Sequence, residues 1–136
     1  MNKNKSYINT DLEIIGDKKL KELHSYFIQK CDVLYSKKVS KNDWRYCLEA
    51  KNSGIDSISK VQTDIDNLLN IIENLSKEYK DILKSSRIFI FNIGFSSFKN
   101  FRTNEILIPN IFIKRIYKVG ASIAITIYPL NETKKA

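Results

Sequence analysis

The 136-residue chain is short of the residues from which most specialised sites are built: two cysteines, two prolines, four glycines, one tryptophan and one histidine. Cys31 and Cys47, even with His24, are too few for a disulfide-stapled scaffold or for the four clustered ligands of a structural zinc site. Both cysteines therefore read as reduced, structural thiols, the state expected in a reducing compartment. The isolated glycines exclude a phosphate-cradling loop. Gly94-Phe95-Ser96-Ser97 lacks the closing glycine of a nucleophile elbow. A Cys–His pair drawn from His24 with Cys31 or Cys47 has nothing in the sequence to orient it. No catalytic residue, cofactor or metal is expected.

An unbroken apolar run is also missing. Residues 106–128 are long enough to cross a bilayer, but Lys114, Arg115 and Lys118 interrupt them at a high cost in lipid. The basic start is followed by Asn9, Thr10, Asp11 and Glu13, where a secretory signal would place an apolar stretch. A cytoplasmic chain with no membrane association is the expectation.

What is present suits one folded domain over residues 1–136, with an ordered core at about 7–129 and short flexible termini. The hydrophobic share of 43% is ordinary for a globular chain and excludes a disordered one. The net charge of +8 is uneven. Residues 1–55 carry +4, residues 56–81 carry −3 and residues 82–136 carry +7. Such a basic C-terminal half is suited to attract nucleic acid, anionic lipid or an acidic protein through its summed potential. Nineteen of the 23 basic residues are lysine, however, a composition as compatible with plain solubility as with recognition.

Hydrophobic periodicity orders the elements. Residues 7–15 alternate, with Ile8, Leu12 and Ile14 on one side of a half-buried strand. Asp17 caps a helix running to about Ile28, with Leu20, Leu23 and Phe27 as its apolar stripe. Val33 to Tyr35 are expected to form at most a short strand, and Trp44, Tyr46 and Leu48 face one way on the next. Asp56 or Ser57 caps a long helix whose inner face is Ile58, Val61, Ile65, Leu68, Leu69, Ile72 and Leu75. A short helical piece through Ile82 and Leu83 follows. The strand over residues 87–93 is apolar on both faces and wants cover on both. Pro109 is expected as the first residue of a last helix that stops at Gly120. Ile123, Ile125 and Ile127 then share one face of a final strand, opposite Ser122, Ala124, Thr126 and Tyr128. The predicted fold is α+β: a mostly antiparallel sheet of four to five strands, helices packed on one face, with a ferredoxin-like flavour.

The segments Leu107-Ile108-Pro109, Ile113, Ile116 and residues 119–128 resemble the end of the domain of unknown function 4279 family, a bacterial family. Trp44, Leu68, Leu69, Leu75, the strand 87–91 and the Ile15-Gly16 strand end are also similar. Residues 29–43 lack the Gly and Pro usual in that family. Some small domains of this kind look like immunity proteins that neutralise toxins of competing bacteria. The resemblance thus implies a non-catalytic binding protein whose partner is a toxin domain, and the positive charge implies an acidic contact surface on it.

The candidate partner-binding residues are Phe95, Phe98, Lys99, Phe101 and Arg102, extended by Lys114, Arg115 and Lys118 on the last helix. Interleaved aromatics and cations suit a protein interface. They also suit a single-stranded nucleic-acid platform, the alternative function, or they fold back onto the neighbouring strand. Asp11 and Glu13 share a strand face, a spacing open to a paired-carboxylate site or to plain solvation. Oligomeric state stays open.

Overall fold

The computed structural model describes residues 7–51, 60–96 and 106–129. Alternation over Tyr7–Gly16 becomes strand β1, with Tyr7, Thr10, Leu12 and Ile14 buried and Asn9, Asp11, Glu13 and Ile15 half-buried. A bulge between Tyr7 and Asn9 shifts the phase of the alternation. Ile8, expected beside Leu12 and Ile14, is therefore exposed, and Tyr7 takes its place in the core.

The Asp17 carboxylate accepts the Lys19 N–H at 2.8 Å, as a helix cap should. The helix it opens is divided. A 3₁₀ segment, Lys18–Leu23, precedes helix α1, His24–Lys30. The first turn has no acidic residue and several lysines at the positive end of the helix dipole, which weakens a regular α start there. Leu20, Leu23 and Phe27 are buried as their spacing predicts.

Strand β2 spans Cys31–Lys38, longer than the three residues expected, and β3 spans Trp44–Ala50. Helices α2 (Lys60–Glu73) and α3 (Lys77–Lys84) lead to β4 (Ile88–Ser96), and α4 (Asn110–Val119) leads to β5 (Ser122–Tyr128). Pro109 is the residue before α4 and not its first helical residue; its ψ of 149° is extended. Gly120 ends the helix at φ 89°, the left-handed conformation that favours glycine.

The strands form one sheet in the order β2-β3-β1-β4-β5. The first three neighbouring pairs are antiparallel, and β4 runs parallel to β5. β3 separates β1 from β2, and β1 separates β3 from β4. Two split β-α-β units therefore interleave, which is the ferredoxin-like arrangement, with α4 and β5 added at one edge. The extra strand β2 is what turns the simple alternation of elements into this order.

Helix α2 lays Val61, Ile65, Leu68, Leu69 and Ile72 on Leu12, Ile14, Tyr46, Leu48, Phe89, Phe91 and Ile93, all buried in one cluster. Ile58, Asp56 and Ser57 lie outside the described residues. β4 has one covered face, not two: Phe89, Phe91 and Ile93 are buried, while Ile88 and Ile90 stay half-buried on the open side of the sheet. Asp64 and Asp66 point different ways. Asp64 is buried and accepts from the Tyr7 hydroxyl at 2.5 Å, which also lies 2.8 Å from Thr10 Oγ1. Asp66 turns toward α4. Among the described residues, no helix is long and apolar enough to cross a membrane.

Candidate functional site

Helix α4 carries the three basic residues singled out from the sequence, and the fold separates them. At 100° per residue, Phe112, Arg115, Ile116 and Val119 form its inner arc. Ile116 is buried, and Phe112 and Val119 pack on the core. Arg115 reaches α2. Its Nε and Nη2 donate to the two Glu73 oxygens at 2.9 and 2.8 Å, Nη1 donates to Asp66 at 2.8 Å, and Nη2 to Asn70 at 3.0 Å. Its hydrogen bonds to Glu73 first and to Asp66 second push its pKa above the ordinary arginine value. The guanidinium is thus a clamp between helices, with its donors used inside the molecule.

The outer arc of α4 holds Lys114 and Lys118, both exposed, with Ile111 at 53% and Tyr117 at 81% exposure. Two cations, one aliphatic and one fully presented aromatic side chain thus share a surface whose backbone is fixed by the Arg115 clamp and the Gly120 cap. Phe95 lies elsewhere. It is half-buried at the end of β4, edge-on to Tyr7 with ring centroids 5.9 Å apart, so it folds onto the core as an ordinary strand residue would. Phe98, Lys99, Phe101 and Arg102 lie outside the described residues.

A second surface comes from strand register, which periodicity does not contain. On the open side of the sheet Asp11 stands opposite Glu49, and Glu13 opposite Cys47. On the other flank Asp11 faces Asn92. The Asn9 amide donates to Glu49 at 2.6 Å and to Asp11 at 3.1 Å. Asn92 donates to Glu13 at 3.1 Å and accepts from Thr126 Oγ1 at 2.7 Å. A polar chain therefore runs across β3, β1, β4 and β5 with three carboxylates at its centre.

Crowding these carboxylates has an electrostatic consequence. Burial first, then the Glu49 charge and next Glu13, push the Asp11 carboxyl up to about 6, against a hydrogen bond from the Cys47 thiol. The same neighbourhood, burial foremost and then Asp11 and Glu13, pushes the Cys47 thiol up to about 12. Asp11 is therefore held protonated to a higher pH than an exposed carboxyl. At the margin, the Arg45 guanidinium lies over the Tyr35 ring at 4.9 Å. The reading from sequence paired Asp11 with Glu13 but missed Glu49, Cys47, Asn92 and Thr126. The one available signal was that Cys47 and Glu49 alternate with Tyr46 and Leu48 and so had to share the other face.

The remaining polar groups are unremarkable as sites. His24 Nδ1 lies 2.9 Å from the Tyr46 hydroxyl. A shallow cleft of about 410 Å³ between the 3₁₀ segment and α3 is lined by Asp17, Lys19, Glu22, Glu78 and Asp81 among others, and is open to solvent. Among the described residues no group of three or more His, Cys, Asp or Glu side chains is arranged to hold a metal ion. Comparison with protein-family models, with curated proteins and with solved structures finds no match to this chain.

Proposed function

We propose that the protein is a non-catalytic binding domain that docks another protein on the outer face of α4, in the manner of a bacterial immunity protein neutralising a cognate toxin. The observation that carries the reading is the combination on that face of Ile111, Tyr117, Lys114 and Lys118 on a helix already held in place by Arg115. Exposed tyrosine beside cations is the composition that dominates interface energies, and a preformed helix loses little conformational freedom on binding. The partner surface it fits is acidic at its centre with apolar ground on either side, because Lys114 and Lys118 lie between Tyr117 and Ile111 around the helix. The resemblance of residues 107–128 to the 4279 family supplies the toxin-directed part of the reading, and the cytoplasmic setting follows from the sequence expectation of a chain with no secretory signal.

Capture from nuclease-treated host lysate, compared between the wild-type chain and a Tyr117→Ala, Lys118→Glu double variant, tests this. A stoichiometric protein retained through a high-salt wash by the wild type and lost by the variant supports the reading. Equal retention by both removes the α4 face from it. The alternative, nucleic-acid binding, rests on the same lysines and predicts affinity that falls steeply with salt as counterions are displaced.

A further inference from the structure

The two edges of the sheet differ. β2 has a bulge between Val33 and Tyr35, and it ends in Lys37 and Lys38. These are the devices by which natural edges discourage pairing with another chain. β5, at the other edge, has none of them. Its sequence, Ser-Ile-Ala-Ile-Thr-Ile-Tyr, contains no charge and no proline, and its register with β4 is unbroken. Among the described residues its second edge faces no strand.

β5 also projects beyond its cover. Ile123, Ile125 and Ile127 pair with Phe91, Ile93 and Phe95 and so lie on the helix-bearing face. Phe91 and Ile93 are fully buried, yet the isoleucines are 38%, 59% and 64% exposed. Ile113, 48% exposed, lies on the flank of α4 opposite Arg115. Since Arg115 leans toward α2, and α2 lies over β1 and β3, that flank leans toward β5.

We propose that β5 pairs with β5 of a second copy of this chain, antiparallel about a two-fold axis through Ile125, to give a continuous ten-stranded sheet. The strand is self-complementary in that register. Ile125 meets Ile125, Ile123 meets Ile127, Ala124 meets Thr126 and Ser122 meets Tyr128, so six isoleucines gather on one face without a charge among them. A two-fold normal to the sheet keeps both helix layers on the same side, with Ile113 of each copy flanking the cluster. A seven-residue edge is about 23 Å long and, with side chains on both faces, about 15–20 Å high. Each copy then buries roughly 400 Å², and the pair roughly 800 Å², short of the ~1,000 Å² of a lasting interface. The dimer is accordingly a transient one, formed at high concentration. It does not depend on the function proposed above.

Sedimentation equilibrium at about 0.15 M salt, over roughly 5 to 500 µM, tests the pairing. The weight-average mass is expected to rise from 15.8 kDa toward twice that value. Ile125→Lys is expected to stay at 15.8 kDa throughout. Its folding is checked by circular dichroism and is expected to be unchanged, because the side chain already faces solvent. Register is tested separately. Under mild oxidation Ile125→Cys is expected to cross-link two copies at least tenfold faster than Ser122→Cys, with wild type as the control for Cys31 and Cys47. A wild-type chain that remains monomeric at the highest concentration, an Ile125→Lys variant that dimerises as wild type does, or equal cross-linking at the two positions would overturn the proposal.

Discussion

Asp11 stands directly opposite Glu49 across the β1–β3 pair, two carboxylates held on one sheet face and bridged by the Asn9 amide at 3.1 and 2.6 Å. Like charges in opposed positions oppose pairing, and burial first, with the Glu49 charge second, raises the Asp11 carboxyl to about 6. A carboxyl that titrates near 6 when folded and near 3.8 in its unperturbed state binds its proton more tightly in the folded chain. Its contribution favours folding below about pH 4 and is lost as pH rises through about 6.

Asp11→Asn is therefore expected to match wild type in stability near pH 4 and to exceed it at pH 7.5. The full shift would correspond to about 3 kcal/mol, reduced by partial solvent access to about 1–2 kcal/mol. Urea unfolding of both chains at the two pH values checks this. A gap that is the same at both pH values would show that the carboxylate row is not strained.

The Arg115 clamp is the main polar link between α4 and α2. Arg115→Ala is expected to lower stability by about 1–2 kcal/mol, less than a buried pair because Asp66 and Glu73 are themselves partly exposed. Arg115→Lys should recover less than half of that loss, since one ammonium cannot span Glu73, Asp66 and Asn70 together. Chemical denaturation of the two variants decides it, and full recovery by lysine would reduce the clamp to a simple charge effect.

Both thiols are predicted to be slow. Burial pushes Cys31 up to about 11, Asp32 adding to the rise and Lys51 opposing it. Cys47 stands at about 12 for the reasons given above. Because the thiolate is the nucleophile, alkylation by iodoacetamide at pH 8 should be roughly a hundredfold slower in the folded chain than in urea. Peptide mass spectrometry reads each site, and either cysteine reacting at its unfolded rate would contradict the burial described.

Gly120 is expected to be intolerant. A side chain at φ 89° is strained, and a Cβ there would lie 2.7 Å from Lys84 Cγ. Gly120→Ala should cost about 1–2 kcal/mol. Adding Lys84→Ala should return the part caused by crowding and leave the backbone part, a separation that thermal unfolding of the double-mutant cycle can measure.

The α+β class, the long helix with its five buried aliphatics, the Gly120 stop and the alternation of β5 were all legible in the chain, because each reflects spacing within one element. β2 was largely missed because an edge strand has polar residues where a central strand has apolar ones, as at Asp32, Lys37 and Lys38. Ile8 was misplaced for a related reason: a bulge inserts one residue, and periodicity counts on as though it had not. The candidate site was legible only in part. Lys114, Arg115 and Lys118 read as one basic ridge, whereas the fold turns Arg115 onto α2 and leaves Lys114 and Lys118 exposed.

What the sequence determined by itself was which residues share a face, since helix and strand periods are set by local backbone geometry. It did not determine what lies against that face. Arg115 meets Glu73 because α4 packs on α2, Asp11 meets Glu49 because β1 and β3 pair in one register, and the three isoleucines of β5 stay exposed because the helix layer stops short of them. Those outcomes belong to the tertiary structure, for the physical reason that burial, charge crowding and edge exposure arise between segments distant along the chain.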